Sequence, residues 1–315
     1  MNSSYQNPFP RVLVTGATGI VGVPIIKTFL EHGSEVIGLS RSATRPRTFE
    51  THDKYRHVRG DIRDRDLLVT CMLGVDLVVH TAGAVHGSVS VKSDFFSINV
   101  DGVRAVVEAA KEQSVRFVHI SSVNAIGFKE NRLRDSYAES KSVGEDIVLG
   151  ALANGLEGNV LRPATVFGHE SGISGFLVER ILAGRLKVLP ASDRMISPVW
   201  SYDLARAVFL ASQHQHSGKA FTIAGSSVQT GEFVQRIARL VERKGPMISV
   251  PASYFSVPLS IAWKMQRLTG WTPPVTVESL KNMSVFDGSK DASLLGIEYT
   301  PLNHIFKSSI NYDQG

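Results

Sequence analysis

The chain has 315 residues, 43% of them hydrophobic and 20% charged, and a net charge of +5, which gives a globular protein with a full core, long enough for one large domain and a smaller lobe. The single residue Cys71 excludes an internal disulfide and a cysteine-based zinc cluster. The Lys and Arg residues are not interleaved with aromatics as nucleic-acid binding requires, and no apolar run reaches the roughly 18 residues of a membrane span.

Residues 1–10 are polar and contain proline, unlike a signal peptide, so a soluble cytoplasmic protein is expected. Short apolar runs predict strands near 11–15, 35–40, 56–59, 76–80, 115–121 and 158–163. Amphipathic segments predict helices at about 20–32, 64–73, 92–113 and 136–153. This alternation predicts a doubly wound parallel sheet of the α/β class, with ligands at the carboxyl ends of its strands.

The first strand runs directly into Gly16-Ala17-Thr18-Gly19-Ile20-Val21-Gly22. Glycines at this spacing let the backbone turn tightly and approach a pyrophosphate, which the following helix N-terminus attracts. Pro24 lacks the N–H that would bond the Ile20 carbonyl, so a small distortion of the first helical turn is predicted.

The second strand ends in Ser40-Arg41-Ser42, with Arg45 close behind. A carboxylate there would hold the ribose hydroxyls of NAD; a guanidinium and a hydroxyl suit a 2′-phosphate. NADP(H) is therefore expected, with NAD(H) as the second choice. Asp61 and Ile62, after the third strand, are placed to offer a carboxylate to the adenine amine and an apolar wall to its ring.

Beyond the fifth strand, Ser121-Ser122 precede Tyr137-Ala138-Glu139-Ser140-Lys141. On a helix, Tyr137 and Lys141 share a face. An ammonium beside a phenol is expected to lower the phenol's pKa from about 10 toward the working range of an acid/base catalyst. Ser122 can bond the same substrate oxygen.

After Pro163 the pattern loosens. Residues 164–198 carry few clear periods, 202–212 read as a helix, 219–223 as a strand returning to the sheet, and 226–315 as proline-punctuated helical segments. Residues 1–163 and about 199–225 are thus expected to form the nucleotide domain. About 164–198 and 226–315 would form a discontinuous, mostly helical substrate lobe. Within it, Ser253 to Thr269 reads as a helix packing on the sheet domain. His214 and His216 read as solvated loop residues, and no metal site is implied.

Taken together, these segments resemble the extended short-chain dehydrogenases/reductases, which include nucleotide-sugar epimerases and dehydratases, dihydroflavonol reductases and hydroxysteroid dehydrogenases. The likeness covers nearly the whole chain. It runs from Thr15 to Gly22 through Asp61-Ile62, His80-Thr81-Ala82-Gly83, Asn99-Val100-Asp101-Gly102, Ser121-Ser122, Tyr137 to Lys141, Leu161-Arg162-Pro163 and Ser201 to Ala205. The resemblance implies a Rossmann fold, Tyr137 as acid/base, Lys141 also on the nicotinamide ribose, and Ser122 orienting the substrate oxygen. It implies that His80, Thr81, Ala82 and Gly83 pack on the cofactor, with Asn99 also in the cofactor set, and that Pro163 and Val166 flank the nicotinamide. Two departures stand out: Ala125-Ile126-Gly127 lacks the family's aromatic before glycine, and Trp200-Ser201-Tyr202-Asp203 replaces its usual His-Val-Asp-Asp.

The expected activity is an NADP(H)-dependent oxidoreductase interconverting a ketone and a secondary alcohol. A nucleotide-sugar epimerase or dehydratase is the nearest alternative, and a non-catalytic nucleotide-sensing regulator a distant one. The expected partners are a small-molecule substrate, a nucleotide sugar or a bulky hydroxy or keto compound, touching Ser122, Asn124 and Arg194, and a second copy of the chain. Neither nucleic acid nor a membrane is expected.

Overall fold

The computed structural model describes residues 8–86, 88, 89, 91–168, 179–251, 254 and 285–305. Its centre is a parallel sheet containing β1 (Arg11–Thr15), β2 (Glu35–Ser40), β3 (Tyr55–Arg59), β4 (Leu77–His80), β5 (Arg116–Ile120) and β6 (Gly158–Pro163), with Ala220–Ile223 as a seventh strand. Across the sheet the order is Ala220–Ile223, β6, β5, β4, β1, β2, β3. The chain thus starts in the middle, winds outward through β2 and β3, then returns to β4 on the other side of β1. The crevice between the ends of β1 and β4 is the switch point where ligands bind in such sheets.

Alternation explains why the strands read as continuous apolar runs. Val12 and Val14 of β1 face one core with Ile25, Phe29, Val79, Val208 and Phe221. Leu13 faces the other core with Leu39, Met72, Val106, Phe117 and Val148. Helices α1 (Gly22–Glu31) and Ser201–Ala211 cover the first face; α2 (Arg65–Met72), α4 (Val103–Glu112) and α6 (Ser136–Ala153) cover the second. Burying both faces requires apolar residues at every position. A fully buried Phe29 or Phe117 contributes about 1.5–3 kcal/mol relative to exposure. Cys71 fills a place in the second core.

Several expectations are corrected. The span 92–113 is not one helix: α3 (Lys92–Phe96) passes into a π-helical segment, Ser97–Gly102, before α4. Tertiary contacts override the 3.6-residue period there: Asn99 is held by its side chain, and Gly144 of α6 packs on its carbonyl. A further helix, α5 (Val123–Lys129), went unpredicted because Val, Asn, Ile and Gly are weak helix formers. Helix α1 begins at Gly22, so Pro24 lies in the first turn, where a missing N–H is tolerated; the Ile25 N–H still reaches the Val21 carbonyl at 3.3 Å. His216 is buried edge-on against Phe221 rather than solvated.

Residues 164–198 carry more structure than their periodicity showed. Thr165–Phe167 pairs with Pro198–Trp200, Val188–Pro190 with Ile248–Val250, and Met195–Ile196 with Val228–Gln229. These ribbons and helix Thr230–Leu240 enclose a separate cluster that includes Phe167, Leu189, Ile196, Phe233 and Ile237. Apart from Tyr254, the segment Ser253 to Thr269 lies outside the described residues. Among the described residues no helix is long and apolar enough to cross a membrane.

Candidate active site

The glycine turn is built by close approach. Gly16 has φ +72°, and a Cβ there would lie 2.6 Å from Thr81 Oγ1 and 2.8 Å from the Ala82 nitrogen. A Cβ on Gly22 would overlap the Gly16 carbonyl. The Gly16 N–H donates to the Leu39 carbonyl at 2.9 Å, and Thr81 Oγ1 donates to the Thr15 carbonyl at 2.6 Å. The ends of β1, β2 and β4 are thereby stitched into one floor. Helix α1 starts above it with no side-chain cap and no acidic residue in its first turn, leaving its positive end for an anion. Thr18, Gly19 and Ile20 form the half-buried rim. This cradle fits a dinucleotide pyrophosphate.

At the end of β2 the two arginines differ in role. Arg45 donates to the carbonyls of His52 and Tyr55, at 2.8 and 2.9 Å, and lies over the Tyr55 ring. Arg41 is exposed and near enough to Asp61 to help lower its pKa. Ser42 is half-buried, and its hydroxyl accepts from the Thr44 N–H at 3.0 Å. Asp61 is less available than expected. Arg63 grips both its oxygens, Nε at 2.9 Å and Nη2 at 2.7 Å, and this bonding holds the carboxyl down at about 2. Ile62 is buried and packs against Gly102.

Ser122, Tyr137 and Lys141 come together where β5 ends under α5 and α6. Ser122 caps α5, accepting from the Asn124 N–H at 3.2 Å, and its hydroxyl is near enough to the Tyr137 phenol to help lower its pKa. Asp135 caps α6, accepting from the N–H groups of Tyr137 and Ala138 at 2.9 and 3.0 Å. The half-buried Tyr137 ring has His86 and Phe95 as neighbours, with centroids 4.8 and 6.0 Å away, and His86 Nε2 lies 3.5 Å from Asp135 Oδ1. Neither His86 nor Asp135 was expected in this cluster. The N-cap position of Asp135 was a readable signal; the approach of the His86 loop was not.

The expected lowering of the Tyr137 pKa is corrected. Burial pushes the phenol up, opposed by the neighbouring Ser122 hydroxyl. Lys141 Nζ instead donates to the Ile120 carbonyl at 2.8 Å, and burial lowers its pKa to about 8 against the opposing charge of Glu145. Tight packing beneath α6 outweighs the i,i+4 spacing.

Other predicted positions separate into rim and support. His80 lies fully buried below the crevice. It shares a 2.7 Å hydrogen bond with Thr15 Oγ1, and burial drives its pKa to about 3. Thr81, Ala82 and Gly83 form the accessible edge above it. Asn99 is a latch: its Oδ1 accepts from the Ala84 N–H at 2.8 Å, and its Nδ2 donates to the Ala84 carbonyl and Ser140 Oγ, each at 3.0 Å. Pro163 ends β6, and Val166 is half-buried in the next strand. Arg194 lies in the turn before Met195–Ile196, where its carbonyl accepts from the Thr230 N–H at 2.8 Å.

A doubly wound sheet with this crevice and this Ser-Tyr-Lys cluster defines an NAD(P)-dependent enzyme of the extended short-chain dehydrogenase/reductase type. The chain belongs to the NAD dependent epimerase/dehydratase family, whose sequence model matches residues 12–224. It is 30% identical over 270 residues to a 3-beta-hydroxysteroid dehydrogenase of Mycolicibacterium neoaurum, covering 76% of this chain and 72% of that one. It is 26% identical over 291 residues to a 2-alkyl-3-oxoalkanoate reductase of Stenotrophomonas maltophilia, covering 84% and 87%. The fold is shared with a UDP-glucose 4-epimerase of Thermotoga maritima solved with UDP-glucose: TM-score 0.76, 20% identity, 96% and 98% covered.

Proposed function

We propose that this chain is an NADP(H)-dependent oxidoreductase that interconverts a ketone and a secondary alcohol, with Tyr137 as acid/base. The observation that carries the reading is the end of β2, where Arg41 stands exposed in the place a carboxylate would take for NAD. The hydroxysteroid dehydrogenase and oxoalkanoate reductase relatives support it. A bulky hydroxy or keto compound is the proposed substrate class. The proposal includes a nucleotide domain of residues 1–163 and about 199–225, a substrate lobe from the remainder, and a cytoplasmic homodimer paired through α4 and α6.

When bound, the nicotinamide supplies hydride to the carbonyl carbon or accepts it from the alcohol. Tyr137 Oη gives its proton to the carbonyl oxygen as that oxygen gains charge, and Ser122 Oγ orients the same oxygen. Lys141 Nζ is the cation behind them, stabilising the phenolate left after transfer. The raised Tyr137 pKa has a direction. At neutral pH the phenol is protonated, the form reduction uses, so alcohol oxidation should rise with pH as phenolate forms. Thr18, Gly19 and Ile20 would hold the pyrophosphate, Arg41 and Ser42 the 2′-phosphate, and Ala82, Gly83, Pro163 and Val166 the nicotinamide half. Asn124 and Arg194 are proposed substrate contacts.

NADPH should bind at least ~10-fold tighter than NADH, because a charge-assisted contact is worth about 1.5–3 kcal/mol. Arg41→Ala should erase most of that preference and leave NADH affinity unchanged. Fluorescence titration of both cofactors on both proteins measures this. Tight co-purified NAD with no gain from the 2′-phosphate would overturn the assignment in favour of an epimerase.

A further inference from the structure

We infer that Glu145 is a positioning residue that acts through Lys141: from one turn further along the same helix face, it fixes the charge and placement of that amine beneath the substrate oxygen. The inference rests on the Tyr137–Lys141 reading above and extends it to a group outside the site as first drawn.

The geometry is that of a saturated, buried carboxylate. Tyr137, Lys141 and Glu145 follow at i, i+4 and i+8 on α6, and the Glu145 side chain has 0% exposure. Its Oε2 accepts from Ser121 Oγ at 2.7 Å and Arg162 Nε at 2.9 Å. Its Oε1 accepts from Arg162 Nη2 at 2.8 Å and Lys129 Nζ at 3.0 Å. One side chain thus joins α6 to the residue before Ser122, to the end of α5 and to β6. A rotation of α6 that displaced Tyr137 or Lys141 would break four bonds at once.

The charged surroundings point the same way. From β4 and β5, His80 and His119 face Lys141; burial holds both imidazoles neutral, and they stack with centroids 5.4 Å apart. On α5 and β6, Lys129 and Arg162 are both engaged by Glu145, and Asp146 holds Lys129 at 2.7 Å from the outside. From α3, Lys92 is paired with Glu139 on the outer side of α6. Among these described groups, Glu145 is the carboxylate whose field favours the Lys141 ammonium.

The test titrates Lys141 directly, by NMR of protein labelled with 13C at lysine Cε, the resonance being assigned by its loss in Lys141→Met. The wild-type midpoint should lie near 8. In Glu145→Gln it should fall by about one pH unit or more, since an opposing charge has been removed. Lys129→Met, which loosens the same clamp without touching Lys141's counter-charge, should leave it within about half a unit. Glu145→Asp keeps the charge and should retain the wild-type midpoint despite a lower Tm.

An unchanged midpoint in folded Glu145→Gln would overturn the inference. If that variant does not fold, Glu145→Asp decides: a drop of about a full unit with the carboxylate still present would overturn it equally. Active Tyr137→Phe would sink the proposed reaction instead and leave this titration as it is, so the two failures are distinguishable.

Discussion

Tyr137→Phe is expected to lower turnover at least ~100-fold while fold and NADPH affinity survive. The ring's packing against His86 and Phe95 is kept in the variant, and the capping of α6 depends on Asp135 rather than on the phenol. What disappears is the phenol hydroxyl, the proposed proton donor, beside Ser122. Steady-state kinetics on the substrate the wild type turns over fastest, with NADPH titration and a melting curve alongside, separate chemistry from binding and stability. A variant retaining a third of wild-type activity would remove Tyr137 from the mechanism.

Gly16→Ala should be nearly as damaging by a different route. A left-handed φ costs a residue with a Cβ about 1–2 kcal/mol. The new methyl would also meet Thr81 and Ala82, an overpacking that costs about 1–3 kcal/mol. We therefore expect a destabilisation of about 2–5 kcal/mol and a loss of NADPH affinity of at least ~100-fold as the floor under the pyrophosphate shifts. Gly33→Ala is the control: Gly33 has φ +90° with nothing within 4 Å of a Cβ, so it isolates the conformational part. Wild-type NADPH affinity in Gly16→Ala would show that the turn does not hold the cofactor.

The sheet was legible because each strand is short, apolar and bounded, and because the glycine turn is a local signal. The doubly wound class followed from the alternation of strands and helices, whereas the order of strands around β1 is seen only in the structure. What escaped the reading was set by contacts between distant segments. Glu145 and Arg162 lie 17 residues apart, and nothing local marks them as partners. The π-helical segment exists because Asn99 reaches Ala84 and Ser140, 15 and 41 residues away. Helix α5 has poor intrinsic propensity and stands on its cap and on α6. The Tyr137–Lys141 pair was found by spacing, yet its electrostatics were misjudged, since spacing does not report that Lys141 turns to the Ile120 carbonyl.

The seventh strand joins the sheet only after the chain has travelled from residue 164 to 219, and this bears on how the molecule is made. Until Ala220–Ile223 docks in parallel on β6, the backbone of Val160 to Pro163 is a bare edge carrying apolar Val160 and Leu161. Such an edge is a template for wrong partners during the slow stages of a parallel fold. Closure also settles Arg116 of β5, whose guanidinium reaches the carbonyls of Ser212 and Gln213 at 2.6 and 2.9 Å. On a ribosome the nucleotide-binding half would emerge with its glycine turn complete but one flank open. A shortened gene ending before residue 220 should therefore yield aggregate, whereas one that includes the strand carries its own edge protection.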